Sequence, residues 1–335
     1  MLKAIDLGFG AVKAIGGYKS VEYPSAVGDF RPVRFTVGIE GQELKDKLCV
    51  EYEGKKYFIG NIAYTQSSPR VTMNRNRFIS KEGVAIMLSA LVLLSSNQYE
   101  EVKLVTGLPV NEYAELKDHY QETLVGRHSI QLLEPDGSGG KFFAFNIGEV
   151  IVLPQPIGTI FDKVLNSEGK IQDEDLARSK IGVVDVGKYT VDLSVMDALQ
   201  FIDKSSTSYS DIGLFDAFKD LSLALKREGY EIPPDSLEPY IRGNKHLNGL
   251  AELKERIFES QADKVMSRLN NTWADLWSFD RIYITGGGAV VLGKHLLKHI
   301  ATDKVEICNN PTMTNCSGYF KFGKKVWSEC LSPSV

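Results

Sequence analysis

Two short stretches place a carboxylate where a strand should be apolar. The first is Ile5-Asp6-Leu7-Gly8-Phe9-Gly10-Ala11-Val12-Lys13. The second, about 180 residues on, is Val184-Asp185-Val186-Gly187-Lys188-Tyr189-Thr190-Val191-Asp192. Both read apolar, Asp, apolar, Gly, three variable residues, Val, then a charged residue. A carboxylate inside an apolar strand is costly to bury, so something must solvate or pair it. A structural ion pair or a turn cap would do that, and so would a hydrated metal ion. One copy alone leaves these readings open; a second copy in an equivalent setting favours the last. Without a Cβ at the glycines, backbone N–H groups can approach an anion closely, while the adjoining Asp faces the cation or its waters. Two such hairpins, one in each half of the chain, would clamp a Mg-nucleotide. The residues concerned are Asp6, Gly8, Phe9, Gly10 and Lys13 in one copy, and Asp185, Gly187, Lys188, Tyr189 and Thr190 in the other. An acid at Asp192 cannot do what a lysine does at Lys13, so Asp192 is given only an orienting or structural part.

Other glycines bear on the same chemistry. Gly286-Gly287-Gly288 follows a predicted strand and precedes a helix, so the backbone can lie against a flat or anionic ligand; a tight turn is the plainer reading. Gly182 to Lys188 and Gly288 to Lys294 both fit G-x-x-x-x-G-K, but Tyr189 and His295 stand where a P-loop needs Ser or Thr. Neither is read as a P-loop. His295 and His299 lie one helical turn apart, a spacing metals can use. With Lys294 and Lys298 beside them and no Glu partner in view, they read as a solvated helix face.

The elements that must hold these residues alternate between strand and helix. Leu2–Leu7 and 12–17 form a hairpin, 20–23 follows, and Pro24 breaks the pattern. Residues 31–60 read as an inserted β-rich subdomain with a hairpin at Glu53-Gly54-Lys55. Ser80 caps a helix running through Leu94, apolar throughout and too short to cross a bilayer. A buried strand at 102–106, a helix at 112–124, a hairpin over 129–147 and a helix at 157–165 complete the first half. After a polar stretch, 166–180, the plan repeats: strands at 181–186, 191–196 and 199–206, helices at 214–227 and 249–273, a last strand at 281–285, then a helix after the glycines. The end, 312–327, is read as one more helix.

Strands alternating with helices twice over indicate an α/β fold. The 335 residues suffice for two domains with sizeable cores. A net charge of −4 argues against a broad nucleic-acid-binding face. The chain enters directly into a strand, so no signal peptide is expected, and the tail from Ser328 to Val335 lacks a basic amphipathic pattern that could anchor a membrane. Cys49, Cys308, Cys316 and Cys330 show no CxxC spacing and fit reduced thiols in a cytoplasm.

The ordered set of motifs resembles the actin, Hsp70 and sugar kinase superfamily, and within it the prokaryotic actin-like ATPases of the plasmid-segregation ParM type and the archaeal actin branch. Besides the two hairpins, the resemblance runs through Thr106-Gly107-Leu108-Pro109, Leu153-Pro154-Gln155-Pro156-Ile157-Gly158, Ile284-Thr285-Gly286-Gly287-Gly288 and Asn315-Cys316-Ser317-Gly318-Tyr319. It implies a duplicated actin-like, ribonuclease H-like fold with a nucleotide cleft between two domains. The first domain would be 1–160 plus 313–335, with the β-rich insertion at about 31–60; the second would be 161–312. It further implies that Asp6 and Asp185 hold Mg²⁺ through water, and that Lys13 reaches the β- and γ-phosphates as a point charge. Gln155 and Asp185 would be the catalytic pair. Gln stands where many plasmid-type relatives carry Glu and where conventional actins carry Gln; it can orient water but cannot act as a strong base. Asp211, Gly213 and Lys219 would contact ribose and base, and Gly286, Gly287 and Gly288 would also line the nucleotide.

The expected function is an actin-like ATPase that uses ATP, or GTP, with Mg²⁺ and polymerises into dynamic cytoplasmic filaments. A heterologous contact that does not close gives a helical polymer. A small DNA-binding adaptor of the ParR type would couple it to plasmid DNA, with no direct DNA binding and no membrane. The alternative is a small-molecule kinase of the same superfamily, which would need a substrate-binding Asp motif that the sequence does not display. A chaperone ATPase and a membrane-tethered divisome relative rank lower, for want of a peptide-binding domain and an anchor.

Overall fold

A computed structural model describes residues 1–69, 75–243, 245–300 and 303–329. Cys330 and the tail from residue 330 on lie outside the described residues. The chain divides into two compact units, Met1–Asp173 together with Asn315–Val335, and Glu174–Thr314.

The first unit is built on a nine-stranded sheet. Its strands are β1 (Leu2–Leu7), β2 (Ala11–Gly16), β3 (Lys19–Pro24), β4 (Val27–Asp29), β5 (Leu48–Tyr52), β6 (Lys55–Ile59), β7 (Tyr99–Leu108), β8 (Gly126–Leu133) and β9 (Lys141–Pro154). Their order is β3-β2-β1-β7-β9-β8-β5-β6-β4. β1 is antiparallel to β2 and parallel to β7, and β7 is parallel to β9. The register sets Asp6 opposite Lys13. β5 pairs with β8 and β6 with β4, so the predicted inserted subdomain is instead the far end of the main sheet. The stretch between β4 and β5 holds only the turn of 3-10 helix Leu44–Asp46. Its short apolar runs lack a partner strand to complete a ladder.

Among the helices of this unit are α1 (Asn61–Gln66), α2 (Lys81–Leu94), α3 (Val110–Leu124) and α4 (Ile157–Val164). Ser80 Oγ accepts from Gly83 N–H at 3.1 Å, which starts α2 where the sequence places its cap. Almost every α2 residue from Gly83 to Leu94 is buried, as an all-apolar helix requires. Full burial of a side chain such as Leu88 or Leu91 contributes about 1.5–3 kcal/mol. β9 is longer than the predicted 141–147 because, past Gly148, it continues alongside β7 to Pro154.

The second unit holds α5 (Glu174–Ala177), β10 (Lys180–Val186), β11 (Val191–Asp197), β12 (Gln200–Phe201), β13 (Thr207–Tyr209), α6 (Leu214–Arg227), α7 (Glu238–Ile241), α8 (Leu250–Thr272), β14 (Arg281–Thr285), α9 (Ala289–His299) and β15 (Val305–Ile307). The sheet order is β12-β11-β10-β14-β15, with β13 paired to β11. β10 is antiparallel to β11 and parallel to β14, which is parallel to β15. This repeats β3-β2-β1-β7-β9 strand for strand, and Asp185 stands opposite Asp192 where Asp6 stands opposite Lys13. The fold is a duplicated α/β fold.

Leu214, Phe218, Leu221 and Leu225 on α6, and Phe258, Ala262, Val265 and Leu269 on α8, recur at helical spacing and fill the core. Two expectations change. The predicted strand over 199–206 is only β12, followed after a 3-10 turn by β13. The 281–285 strand is not the last, because β15 comes after α9 and pairs with β14; three residues are too short for a period-2 signal. A third correction concerns His295, which is buried on α9 with Glu259 beside it rather than solvated.

The chain then returns through α10 (Thr314–Glu329), most of which belongs to the first unit. No helix among the described residues is long and apolar enough to cross a membrane. Cys49, Cys308 and Cys316 are buried thiols.

Candidate functional site

In the first unit three predicted residues meet at the end of β1. Gln155 Nε2 donates to Asp6 Oδ1 at 3.2 Å, and Lys13 Nζ lies 3.6 Å from Asp6 Oδ2. Asp6 is 4% and Gln155 7% exposed, so the carboxylate's charge is met inside the protein. Because a carboxylate only accepts, the amide nitrogen must face Asp6, which leaves Gln155 Oε1 as an acceptor. Tyr319 on α10 fixes the backbone here. Its hydroxyl donates to Gln155 carbonyl oxygen at 2.9 Å, in space that a side chain at Gly107 would fill. Cys316 Sγ donates to the carbonyls of Ala4 and Lys13, each at 3.4 Å, and burial pushes its thiol pKa up, which keeps it a neutral donor.

The turn between β1 and β2 is supported from below by Arg77, itself 5% exposed. Its guanidinium donates to Gly8 carbonyl oxygen at 3.4 Å and to Ser25 Oγ, and stacks over Phe9 at 5.2 Å. In a trans peptide the C=O and N–H point oppositely, so the N–H of Phe9 is directed away from Arg77. A Cβ on Gly8 would lie 2.9 Å from Ala11 carbonyl oxygen and 3.3 Å from Lys13 Nζ. Gly8→Val is therefore expected to weaken nucleotide affinity at least tenfold (about 1.4 kcal/mol) in a fluorescent-nucleotide titration; wild-type affinity would show that the turn does not touch the ligand.

In the second unit the equivalent turn rests on a helix. Gly187 N–H bonds Thr190 carbonyl oxygen at 2.8 Å and closes the turn. The first free amides of α6, Leu214 and Phe215, donate to the carbonyls of Gly187 and Lys188 at 3.1 and 2.7 Å. Gly213 allows that approach, since a Cβ there would meet Lys188 carbonyl oxygen at 2.7 Å. With those carbonyls turned towards α6, the N–H groups of Lys188 and Tyr189 face the opposite way, a concave arrangement suited to an anion.

Asp185 is partly exposed, and a Cβ on Gly286, whose φ is +87°, would collide with its Oδ1. Gly288 N–H donates to Val186 carbonyl oxygen at 2.7 Å, which ties the glycine loop to β10. A cavity of about 480 Å³ opens beside α6 and α8, lined by Asp211, Asp216, Lys219, Gln261 and Arg268 among others. That volume suits a nucleoside-sized ligand.

Two family models match the chain, that of the N-terminal domain of actin-like proteins over residues 4–158 and that of the C-terminal domain of the MreB-like archaeal actin homologue over 183–298. The chain belongs to the actin-like proteins. A solved 15-stranded ParM filament from Clostridium botulinum is 25% identical, with 97% of this chain and 99% of that one covered and a TM-score of 0.79. The archaeal actin homologue Ta0583 in complex with ADP is 20% identical over 97% and 99%, TM-score 0.78. The apo pSK41 ParM protein is 21% identical over 99% of both, TM-score 0.74. These last two likenesses speak to the fold. The comparison with curated proteins finds no match.

In this actin-like protein the predicted residues fall into two groups. The first unit assembles Asp6, Lys13 and Gln155 with the turn carrying Gly8, Phe9 and Gly10. The second brings Asp185 to Gly286, Gly287 and Gly288, and sets Gly187, Lys188, Tyr189 and Thr190 against Gly213. Several side chains are engaged locally. Lys188 Nζ pairs with Asp235 at 3.0 Å, Lys219 with Asp216 at 2.9 Å, and Asp211 with Arg268. Thr190 Oγ1 donates to Asp192 Oδ2 at 2.9 Å, as does Ser208 to Oδ1, which gives Asp192 a structural part. Sequence reasoning missed Arg77, Gln261 and Arg268. The i, i+7 spacing of Gln261 and Arg268 puts both on one face of α8, a signal that was available, whereas nothing near Arg77 in sequence marks it.

Asp6 and Asp185 offer hard oxygen atoms of the kind that hold Mg²⁺ through its waters, next to turns that a Cβ would obstruct. Within each unit taken by itself, a carboxylate beside a glycine turn is a donor set that suits a hydrated Mg²⁺ next to an anion.

Proposed function

We propose that the chain is an ATPase that polymerises with bound nucleotide into dynamic filaments serving plasmid DNA segregation. The observation that carries this reading is the repeated site element, an Asp-bearing strand, a glycine turn backed by a cation or a helix, and a parallel neighbour, once in each unit. The β1–β2 and β10–β11 turns receive the phosphates through backbone N–H groups, and Lys13 adds a point charge. The cavity beside α6 takes base and ribose between Asp211, Lys219 and Arg268. Gln155, its amide nitrogen committed to Asp6, accepts from the attacking water through Oε1 and so orients it, and Asp185 is assigned a catalytic part of its own in the second unit. Mg²⁺, when bound through water to Asp6 and Asp185, supplies neutralisation of phosphate charge.

Assembly is head to tail, and the stretch between β4 and β5, where Phe35 and Val37 stand exposed, is a contact surface. Similarity to a filament-forming ParM over nearly the whole chain supports this. The net charge of −4 fits an indirect link to DNA through a small DNA-binding adaptor. ATP is the expected nucleotide, GTP the alternative.

The test is light scattering after addition of Mg-ATP, with phosphate release followed in the same cuvette. A rise above a critical concentration that decays as phosphate appears is the expected result; flat scattering with steady turnover would sink the filament reading. In Asp185→Ala, scattering should rise normally and decay at least tenfold more slowly (about 1.4 kcal/mol on the barrier). Unchanged phosphate release would remove Asp185 from the mechanism.

A further inference from the structure

α8 and α9 face each other with side chains that the nucleotide chemistry does not use. Glu255, Glu259 and Asp263 recur every fourth residue on α8, and His295 and His299 do the same on α9, so each set lies along one helix face. The ligand-capable atoms of Glu255, Glu259 and His295 lie within 4.8 Å of one another. His299 Nε2 is 3.4 Å from Glu259 Oε1 and 3.3 Å from Asp263 Oδ1.

His295 is the informative member, because it is fully buried while Glu255 and Glu259 beside it are one-third to one-half exposed. Its Nδ1 lies 2.6 Å from Glu259 Oε2, so that nitrogen carries the proton. With one proton on the ring, held at Nδ1, Nε2 has a lone pair to offer. It is buried, has no hydrogen-bond partner, and faces Glu255 Oε2 at 3.7 Å. An orphaned acceptor beside a carboxylate is unfavourable as it stands, but it is what a cation needs. Zinc-type bonds of about 2.0–2.2 Å to nitrogen and oxygen put two ligand atoms about 3.4 Å apart at the tetrahedral angle, close to this separation. A carboxylate on the far ring nitrogen is the usual orienting partner of a metal-bound histidine.

We propose that His295 Nε2 and Glu255 bind a divalent transition-metal cation of the Zn²⁺ type, with Glu259 fixing the ring and water completing the shell. Lys294, 2.9 Å from Glu255, and Lys298, 3.1 Å from Glu259, now pair with these acids. Both side chains are more than half exposed, and an arriving dication displaces their ammonium groups into water.

The test is a calorimetric titration of the untagged full chain with ZnCl₂ without nucleotide, paired with the visible spectrum of the Co²⁺ complex. One equivalent of Zn²⁺ and a tetrahedral Co²⁺ spectrum are expected. His295→Gln and Glu255→Gln should each weaken binding at least about tenfold, the size that loss of even an outer partner reaches. Lys294→Gln should tighten it by removing the competing ammonium. Glu255 is half exposed, so its variant folds whatever becomes of the buried His295 variant. Absence of a bound equivalent in the wild-type chain, or wild-type affinity in Glu255→Gln, overturns the proposal.

Discussion

Gly318→Ala is expected to cost the first unit about 3 kcal/mol or more, read as a fall in the urea midpoint. α10 crosses α4 with the two backbones in direct contact. A Cβ on Gly318 would lie inside the radius of Gly158 carbonyl oxygen and 2.8 Å from Asp162 nitrogen. Those atoms are backbone and cannot turn aside as a side-chain tip can. The crossing is also tied by polar pairs. Asn315 Oδ1 accepts from Thr159 N–H and Oγ1 at 3.2 and 2.8 Å, and Lys321 pairs with Asp162 at 2.8 Å. Pushing the helices apart therefore breaks bonds as well as packing. Gly323→Ala on the same helix is the control. Its Cβ would meet side-chain atoms of Leu2, Val105 and Trp327 at 2.7–3.0 Å, which can give way, so its cost should be clearly smaller. Equal midpoints for Gly318→Ala and the wild type would mean that α4 and α10 do not cross this closely.

Gln155→Ala is expected to slow phosphate release about 100-fold, the typical loss when one preorganised polar group is removed, while nucleotide affinity changes little. The reason lies in the bond to Asp6. It commits the amide nitrogen to Asp6 and so leaves Oε1 as the acceptor end of the side chain. Single-turnover phosphate release beside a binding titration separates the two effects. A parallel loss of affinity would make Gln155 a ligand-binding group, and unchanged turnover would remove it from the proposed mechanism. Tyr319→Phe deletes only the hydroxyl that bonds Gln155 carbonyl oxygen, so a milder slowing is expected.

What could be read from the sequence follows the range of the interactions. The two hairpins, α2 with its Ser80 cap, α6 and β14 stand where the sequence puts them, because alternation, caps and turn glycines are local. The stretch between β4 and β5 misled because short apolar runs look like strands until a neighbour fails to pair. The contact of Gln155 with Asp6 joins residues 149 apart, and that of His295 with Glu259 joins residues 36 apart. Reading α9 by itself gave His295 two lysine neighbours and no acid; the acids come from α8. The candidate site was legible as a set of residue types on named strands, but not as a set of bonds.

Since α10 packs back on β1, the first unit is written in two pieces with the second unit between them. During synthesis residues 174–314 form a continuous stretch that can fold as soon as it is complete, while residues 1–173 wait. The hydroxyl that holds Gln155 and the thiol bonded to Ala4 and Lys13 both arrive on the last helix. A ribosome stalled before residue 314 thus carries a chain in which Gln155 still lacks the hydroxyl that holds its carbonyl oxygen.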